Sequence, residues 1–179
     1  MPISRPLLAA ALVLTSAAQA QALSCVPMGP GDVYRVVQQS DEDFLIIEGQ
    51  LDFDQNLLPT YSESRPAGAS KPVEVPAQLT GLLLGERIFD QPLEGEITLE
   101  AHCLGPWCGK LTPGNRYLFF ARQVEGRVVA VVEPCGGFFF DAADGTAGDI
   151  VLQCHRGGVC PSQLPDTMEG VIEVPGAAD

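Results

Sequence analysis

The stretch Cys108-Gly109-Lys110-Leu111-Thr112-Pro113-Gly114-Asn115-Arg116-Tyr117-Leu118-Phe119-Phe120 decides the fold class. Pro113-Gly114 is a turn that aims a strand away from the Cys108 loop. Beyond it, Tyr117, Phe119 and Ala121 alternate with Leu118, Phe120 and Arg122, the period of two of a β-strand. Arg116–Gln123 and Arg127–Glu133 flank Val124-Glu125-Gly126 and predict a β-hairpin. Upstream, Phe44–Phe53 predicts a strand whose core face carries Leu45, Ile47, Gly49, Leu51 and Phe53, with Gly49 marking a bulge or bend. Val73–Leu84 is a second strand, with Pro76 indicating an edge or bulge. Glu96–His102 alternates Ile97, Leu99 and Ala101 against acidic and polar residues. Asp149–Cys154 and Thr167–Val174 are expected as shorter, later strands. The helical element is one short stretch from Gly31-Asp32, with Asp32 as N-cap and Val33, Val36 and Val37 at helical spacing. Residues 54–72 are expected to form a surface loop. About five strands and one short helix predict an all-β, closed or partly open barrel.

Composition narrows the class. Of 179 residues, 46% are hydrophobic and 18% charged, with 19 Gly, 15 Pro and a net charge of −13. The apolar content excludes a disordered acidic tail, and the glycines and prolines exclude a coiled coil. Two lysines in the whole chain, Lys71 and Lys110, argue against nucleic acid as a partner, because phosphate binding needs clustered cations.

Residues 1–24 are expected to be a signal peptide. Arg5 precedes an apolar run, Leu7–Ala18, of about a dozen residues, too short to span a membrane. Small-residue pairs place cleavage after 20, 22 or 24. Losing Arg5 leaves nine basic residues against 23 acidic, a mature net charge of −14. The alternative of lipidation at Cys25, through Ala22-Leu23-Ser24-Cys25, would leave five cysteines, an odd number. The expected location is therefore outside the cytoplasm, periplasmic or extracellular. There Cys25, Cys103, Cys108, Cys135, Cys154 and Cys160 would form three disulfides, for which fifteen connectivities exist.

The Cys108–Phe120 stretch resembles the C-G-x-L-x-x-G-x-x-Y-L pattern of the netrin-module superfamily, which includes the N-terminal domains of tissue inhibitors of metalloproteinases. Val128–Val132 leading to Cys135, the glycine-bearing strand Ser40–Leu51, and Cys25-Val26-Pro27 at the position of that family's N-terminal cysteine extend the resemblance over residues 25–140. It implies a five-stranded OB-like barrel, with 141–179 a C-terminal extension of the same domain. It also implies a Cys25–Cys108 bridge, with Cys103–Cys108 a local competitor. Cys154–Cys160 follows as a remaining bridge, and Cys103–Cys135 completes the first scheme. The sequence departs from the animal inhibitors: Pro27 stands where their second cysteine falls, and Cys103 and the Cys154/Cys160 pair are additional.

In that family the N-terminal cysteine's α-amino and carbonyl groups chelate a target protease's zinc. An α-amine with a pKa near 7.7–8.0 has a lone pair available near neutral pH. The resemblance thus implies partner binding through Cys25, Val26 and Pro27, with a secreted metalloprotease as partner, no catalysis and no cofactor. Other readings compete. His102-Cys103 with Cys108, and Cys154-His155 with Cys160, could ligate a metal through His102 and His155 or serve a small hydrolase, although exported thiols usually oxidise. A surface adhesion or assembly module is a further alternative. Asp141, Asp144 and Asp149 read as an Asp/Gly turn more readily than as a calcium loop. Phe138-Phe139-Phe140 reads as buried aromatics. The carboxylate pairs Asp52/Asp54 and Glu94/Glu96 read as solvated strand faces, and no G-x-S-x-G or H-E-x-x-H motif occurs.

Overall fold

In the computed structural model, residues 23–163 are described, apart from Ala67. Residues 1–22, most of the expected signal peptide, and the expected strand Thr167–Val174 lie outside them.

Elements follow in the order α1 (Pro30–Gln39), β1 (Phe44–Asp52), a 3-10 turn (Gln55–Leu57), β2 (Val73–Leu84) and β3 (Phe89–Ala101). Then come β4 (Cys103–Leu104), β5 (Trp107–Cys108), β6 (Arg116–Val124), β7 (Arg127–Val132), β8 (Phe139–Asp141) and α2 (Thr146–His155). Strands β1-β2-β3-β7-β6 are hydrogen-bonded in that order, and β6 pairs back onto β1, closing a five-stranded barrel. All its pairings are antiparallel except β3 with β7. The protein is therefore mostly strands, a closed OB-like mixed barrel with disulfides and short helices.

The hairpin at 116–132 forms as its alternation predicts, with a two-residue turn. Glu125 at φ 50° and Gly126 at φ 80° have the left-handed twist such a turn requires. β1 occupies one edge of β6 from Arg116 to Arg122. On the other edge β7 pairs only with Ala121–Val124, its last residues Val131 and Val132 pairing with β3 alone, and β8 takes the remaining edge at Tyr117–Phe119.

β6 is buried on both faces. Tyr117, Phe119 and Ala121 point into the barrel with Ile47, Leu51, Val75, Leu79, Leu99 and Val132. Leu118 and Phe120 point outward into a second core with Val33 and Val37 of α1 and Ala147 and Val151 of α2. The three consecutive phenylalanines divide the same way. Phe139 stacks on Phe119 with centroids 5.0 Å apart, while Phe138 and Phe140 join the outer core.

Four details differ from expectation. Asp149–Cys154 is not a strand but the body of α2, where Ala147, Val151 and Cys154 supply one buried helical face. The described residues thus hold two short α-helices, not one. A short Ile-Val-Leu run fits either period, and the helical stripe becomes visible only when Ala147 is included. Asp32 is not the N-cap of α1: Gly29 is, and Asp32 two residues into the helix accepts its N–H at 2.8 Å. β3 begins seven residues earlier than its alternating half, at Phe89, through Pro92 and Gly95. Finally, Gly49 marks no bulge. It pairs in register with Gly81, and a Cβ on Gly49 would lie 2.9 Å from the Gly81 Cα. The absence of side chains lets β1 and β2 pass closely, and the register shift falls instead at Leu83/Leu84.

Asp32 also ties α1 to the last described residues, Ser162 and Gln163. Its fully buried carboxylate accepts hydrogen bonds from Gln163 N–H at 2.8 Å and Ser162 Oγ at 2.6 Å, and pairs with Arg35 at 2.8 Å. Burial pushes its pKa up, but the hydrogen bonds from Ser162, Gln163 and Gly29, with the Arg35 charge, outweigh burial and hold it below 3.8. The stabilisation is therefore complete above that ordinary value and is lost as pH falls through the lower folded value.

Two outcomes follow for stability. Gly49→Ala is expected to cost about 2 kcal/mol in urea unfolding, because a methyl group must displace a paired strand. Asp32→Asn is expected to cost about 2 kcal/mol at pH 7, with the gap to wild type narrowing in unfolding curves recorded below about pH 4.

Candidate functional site

The chain between β3 and β6 builds one end of the barrel. β4 and β5 form a tight hairpin over Gly105-Pro106, with Cys103 paired to Cys108 across it. Those two cysteines form a disulfide. The hairpin lies on the loop after β1: Ser70 N–H donates to Cys103 O, Gly105 N–H to Gly68 O, and Ser62 N–H to Pro106 O. Tyr61 and Trp107 meet edge to face at 6.5 Å.

Gly109 then presses its backbone onto the end of β7. A Cβ there would lie 2.2 Å from the Val132 carbonyl oxygen. The Cys-Gly pair in the Cys108–Phe120 stretch therefore has a steric reason, since no larger residue fits behind that cysteine. Leu111 enters the barrel core, and Tyr117 Oη bonds both backbone groups of Thr112, at 2.9 and 3.2 Å, fixing the turn at 113–114.

A cleft of about 290 Å³ opens beside this hairpin. Tyr61, Trp107 and Cys108 line it on the hairpin side, Glu133, Pro134 and Gly136 on the other, and Lys110 also contributes. Behind it runs an ionic chain. His102 Nε2 lies 2.7 Å from Glu100, whose other oxygen lies 3.4 Å from Arg122, and Arg122 lies 3.8 Å from Glu42. Burial pushes the Glu133 carboxyl above its usual range, and neighbouring His102 opposes that shift.

All six cysteines are bridged, as Cys25–Cys135, Cys103–Cys108 and Cys154–Cys160. The Cys25–Cys108 bridge implied by the family resemblance does not form, nor does Cys103–Cys135. Cys108 is taken by its partner across a two-strand hairpin, which leaves Cys135 to Cys25. That long-range bridge still brings the N-terminal segment to the cleft, because Cys135 sits between the lining residues Pro134 and Gly136. Cys25 and Pro27 are exposed, and Val26 is 42% exposed.

The two histidines are not brought together. His155, at the end of α2, contacts Tyr34 Oη at 3.0 Å through Nδ1 and the Gly85 and Glu86 carbonyls at 3.1 and 3.0 Å through Nε2. It ties α2 to the β2–β3 turn. With every thiol oxidised, neither Cys/His grouping offers thiolate ligands, and no cluster of three or more metal-ligating side chains occurs among the described residues. Asp141 and Asp144 cap local turns, accepting from Ala143 and Thr146 N–H. Asp54 does the same for Asn56, while Glu94 and Glu96 are solvent-exposed. Among the described residues no helix is long and apolar enough to cross a membrane. Residue patterns alone did not bring Tyr61, Lys110 or Glu133 to the site. A tyrosine in a loop and a glutamate ending a strand carry no signal until the disulfide-closed hairpin places them together.

No family model matches the chain, and neither a curated protein nor a solved structure matches it.

The bridges differ in what they constrain. Cys25–Cys135 closes a separation of 110 residues, against 5 for Cys103–Cys108 and 6 for Cys154–Cys160. On the chain-entropy scale, replacing both members by Ala is expected to cost about 5 kcal/mol for the first pair and about 2 for either local one, read from urea unfolding.

Proposed function

We propose that the protein is an exported binding protein, acting without catalysis, whose contact surface is the barrel end carrying Cys25-Val26-Pro27, and that its partner is a secreted or periplasmic metalloprotease. The observation that supports this most is the state of the segment from Cys25 to Gly29. It is exposed in its first three residues yet pinned at both ends, by the Cys25–Cys135 bridge and by the Gly29 N–H bond to Asp32. A segment held in this way loses little conformational entropy on association, which is what a protein-binding edge requires. Cleavage after Ser24 would make Cys25 the mature terminus and leave its α-amine and carbonyl free to approach a catalytic zinc. Export is supported by three disulfides, which persist in oxidising compartments.

N-terminal sequencing of the secreted protein, with inhibition assays against zinc endopeptidases, tests the proposal. The expected result is a free Cys25 terminus and inhibition that drops about 100-fold when one alanine is placed before Cys25, since the amine is then displaced from the metal. A mature terminus at residue 21 or 23, or an acylated Cys25, would sink zinc chelation.

A further inference from the structure

We propose that the cleft beside the Cys103–Cys108 hairpin is a subsite for a cationic side chain, a lysine or arginine of the partner polypeptide, lying against Tyr61 and Trp107 with its head group on the Glu133 carboxylate. This rests on the reading of the same barrel end as a protein contact surface, and adds the chemistry that it selects.

Size comes first. A cleft of about 290 Å³ is at the lower bound of small-molecule sites and accommodates one long side chain more readily than a cofactor. Its walls are suited to a cation. Tyr61 is 51% exposed and Trp107 stands against it, so aromatic surface faces the opening, and such rings attract ammonium and guanidinium groups.

Glu133 supplies the charge. Its carboxylate is partly buried in the cleft wall and, among the described residues, makes no hydrogen bond or close ion pair, although neighbouring His102 acts on its charge. A carboxylate partly removed from water with no direct hydrogen-bond donor is left under-satisfied, and an arriving N–H donor offsets part of that cost. Lys110 lines the same cleft, but it is exposed and does not approach Glu133 within ion-pair distance. It leaves the carboxylate open and competes weakly with an incoming cation. The net charge of −13 draws basic partners toward the surface as a whole.

The chain has a single tryptophan, Trp107, so its emission reports occupancy of the cleft directly. The probes are the Nα-acetyl N-methylamides of arginine, lysine, leucine and glutamate, titrated into the intact, disulfide-bonded protein. The arginine and lysine probes are expected to give a saturable emission change at millimolar concentration. Glu133→Gln should weaken them about tenfold, Tyr61→Ala should weaken them several-fold, and Lys110→Ala should tighten them about twofold. Glu133→Gln is nearly isosteric and Tyr61 is exposed, and unchanged thermal unfolding of both variants would confirm that folding is intact. The proposal is overturned by an absence of saturable change with either cationic probe, or by undiminished binding in Glu133→Gln. A response to the glutamate probe that Lys110→Ala abolishes would overturn it too, and would make the cleft an anion subsite. Retained partner binding in Glu133→Gln, with the cationic probes inert, would remove this subsite and leave the contact-surface reading standing. Loss of protease inhibition in wild type, with the probes still bound, would do the reverse.

Discussion

The structure depends on β6 being buried on both faces. A half-buried strand needs alternating polarity, but Leu118, Phe119, Phe120 and Ala121 are each at most 1% exposed. Their alternation distributes them between two cores: Phe119 and Ala121 fill the barrel, while Leu118 and Phe120 form the floor on which α1 and α2 rest. The two helices, distant in sequence, pack on one another because each must cover the same strand. Without them the outer face of β6 would be an exposed apolar stripe, since among the described residues it is α1 and α2 that cover it.

This double burial also explains the clamp at the termini of the described chain. α1 opens the domain and α2 nearly ends it, so the outer core stays closed only if both are held. Asp32 links the first turn of α1 to Ser162 and Gln163. Cys154–Cys160 folds the chain after α2 back toward that turn, where Gly31 leaves room: a Cβ there would lie 2.2 Å from the Pro161 carbonyl oxygen. The buried carboxylate is tolerated because its oxygens are hydrogen-bonded and its charge is paired: Gly29 and Arg35 satisfy it within α1, while Ser162 and Gln163 join α1 to the chain after α2.

Much of the barrel was legible because its strands obey simple periods. Val73–Leu84 has its expected bounds, and the hairpin at 116–132 follows from alternation with a turn between. Pro76 falls where β2 extends beyond β1, so one side of the strand is an edge there, a position at which a residue without an N–H is tolerated. What escaped was decided by contacts between distant residues. The α2 segment is too short and too apolar for its period to be read without knowing which face meets Leu118. Gly49 is explained only by Gly81, which stands opposite it across the sheet. The disulfides divided in the same way. Cys154–Cys160 was expected as the remaining bridge and Cys103–Cys108 as a local competitor, whereas Cys25–Cys135 depends on β7 delivering Cys135 to the N-terminal segment.

The candidate site follows from the same geometry. β7 parts from β6 after Ala130 while staying paired to β3, and its end carries Glu133, Pro134 and Cys135 to the cleft beside the β4–β5 hairpin. Gly109 permits the hairpin's return strand to lie directly on that end, so the cleft is formed by backbones that cannot separate without breaking the barrel. The long disulfide then anchors the N-terminal segment to this wall. The exposed residues at this end are thus supported by the most constrained parts of the chain. Such support pre-organises that edge: a segment fixed before a partner arrives loses less conformational entropy on contact, and here the fixing comes from the Cys25–Cys135 bridge and the Gly29 bond to Asp32.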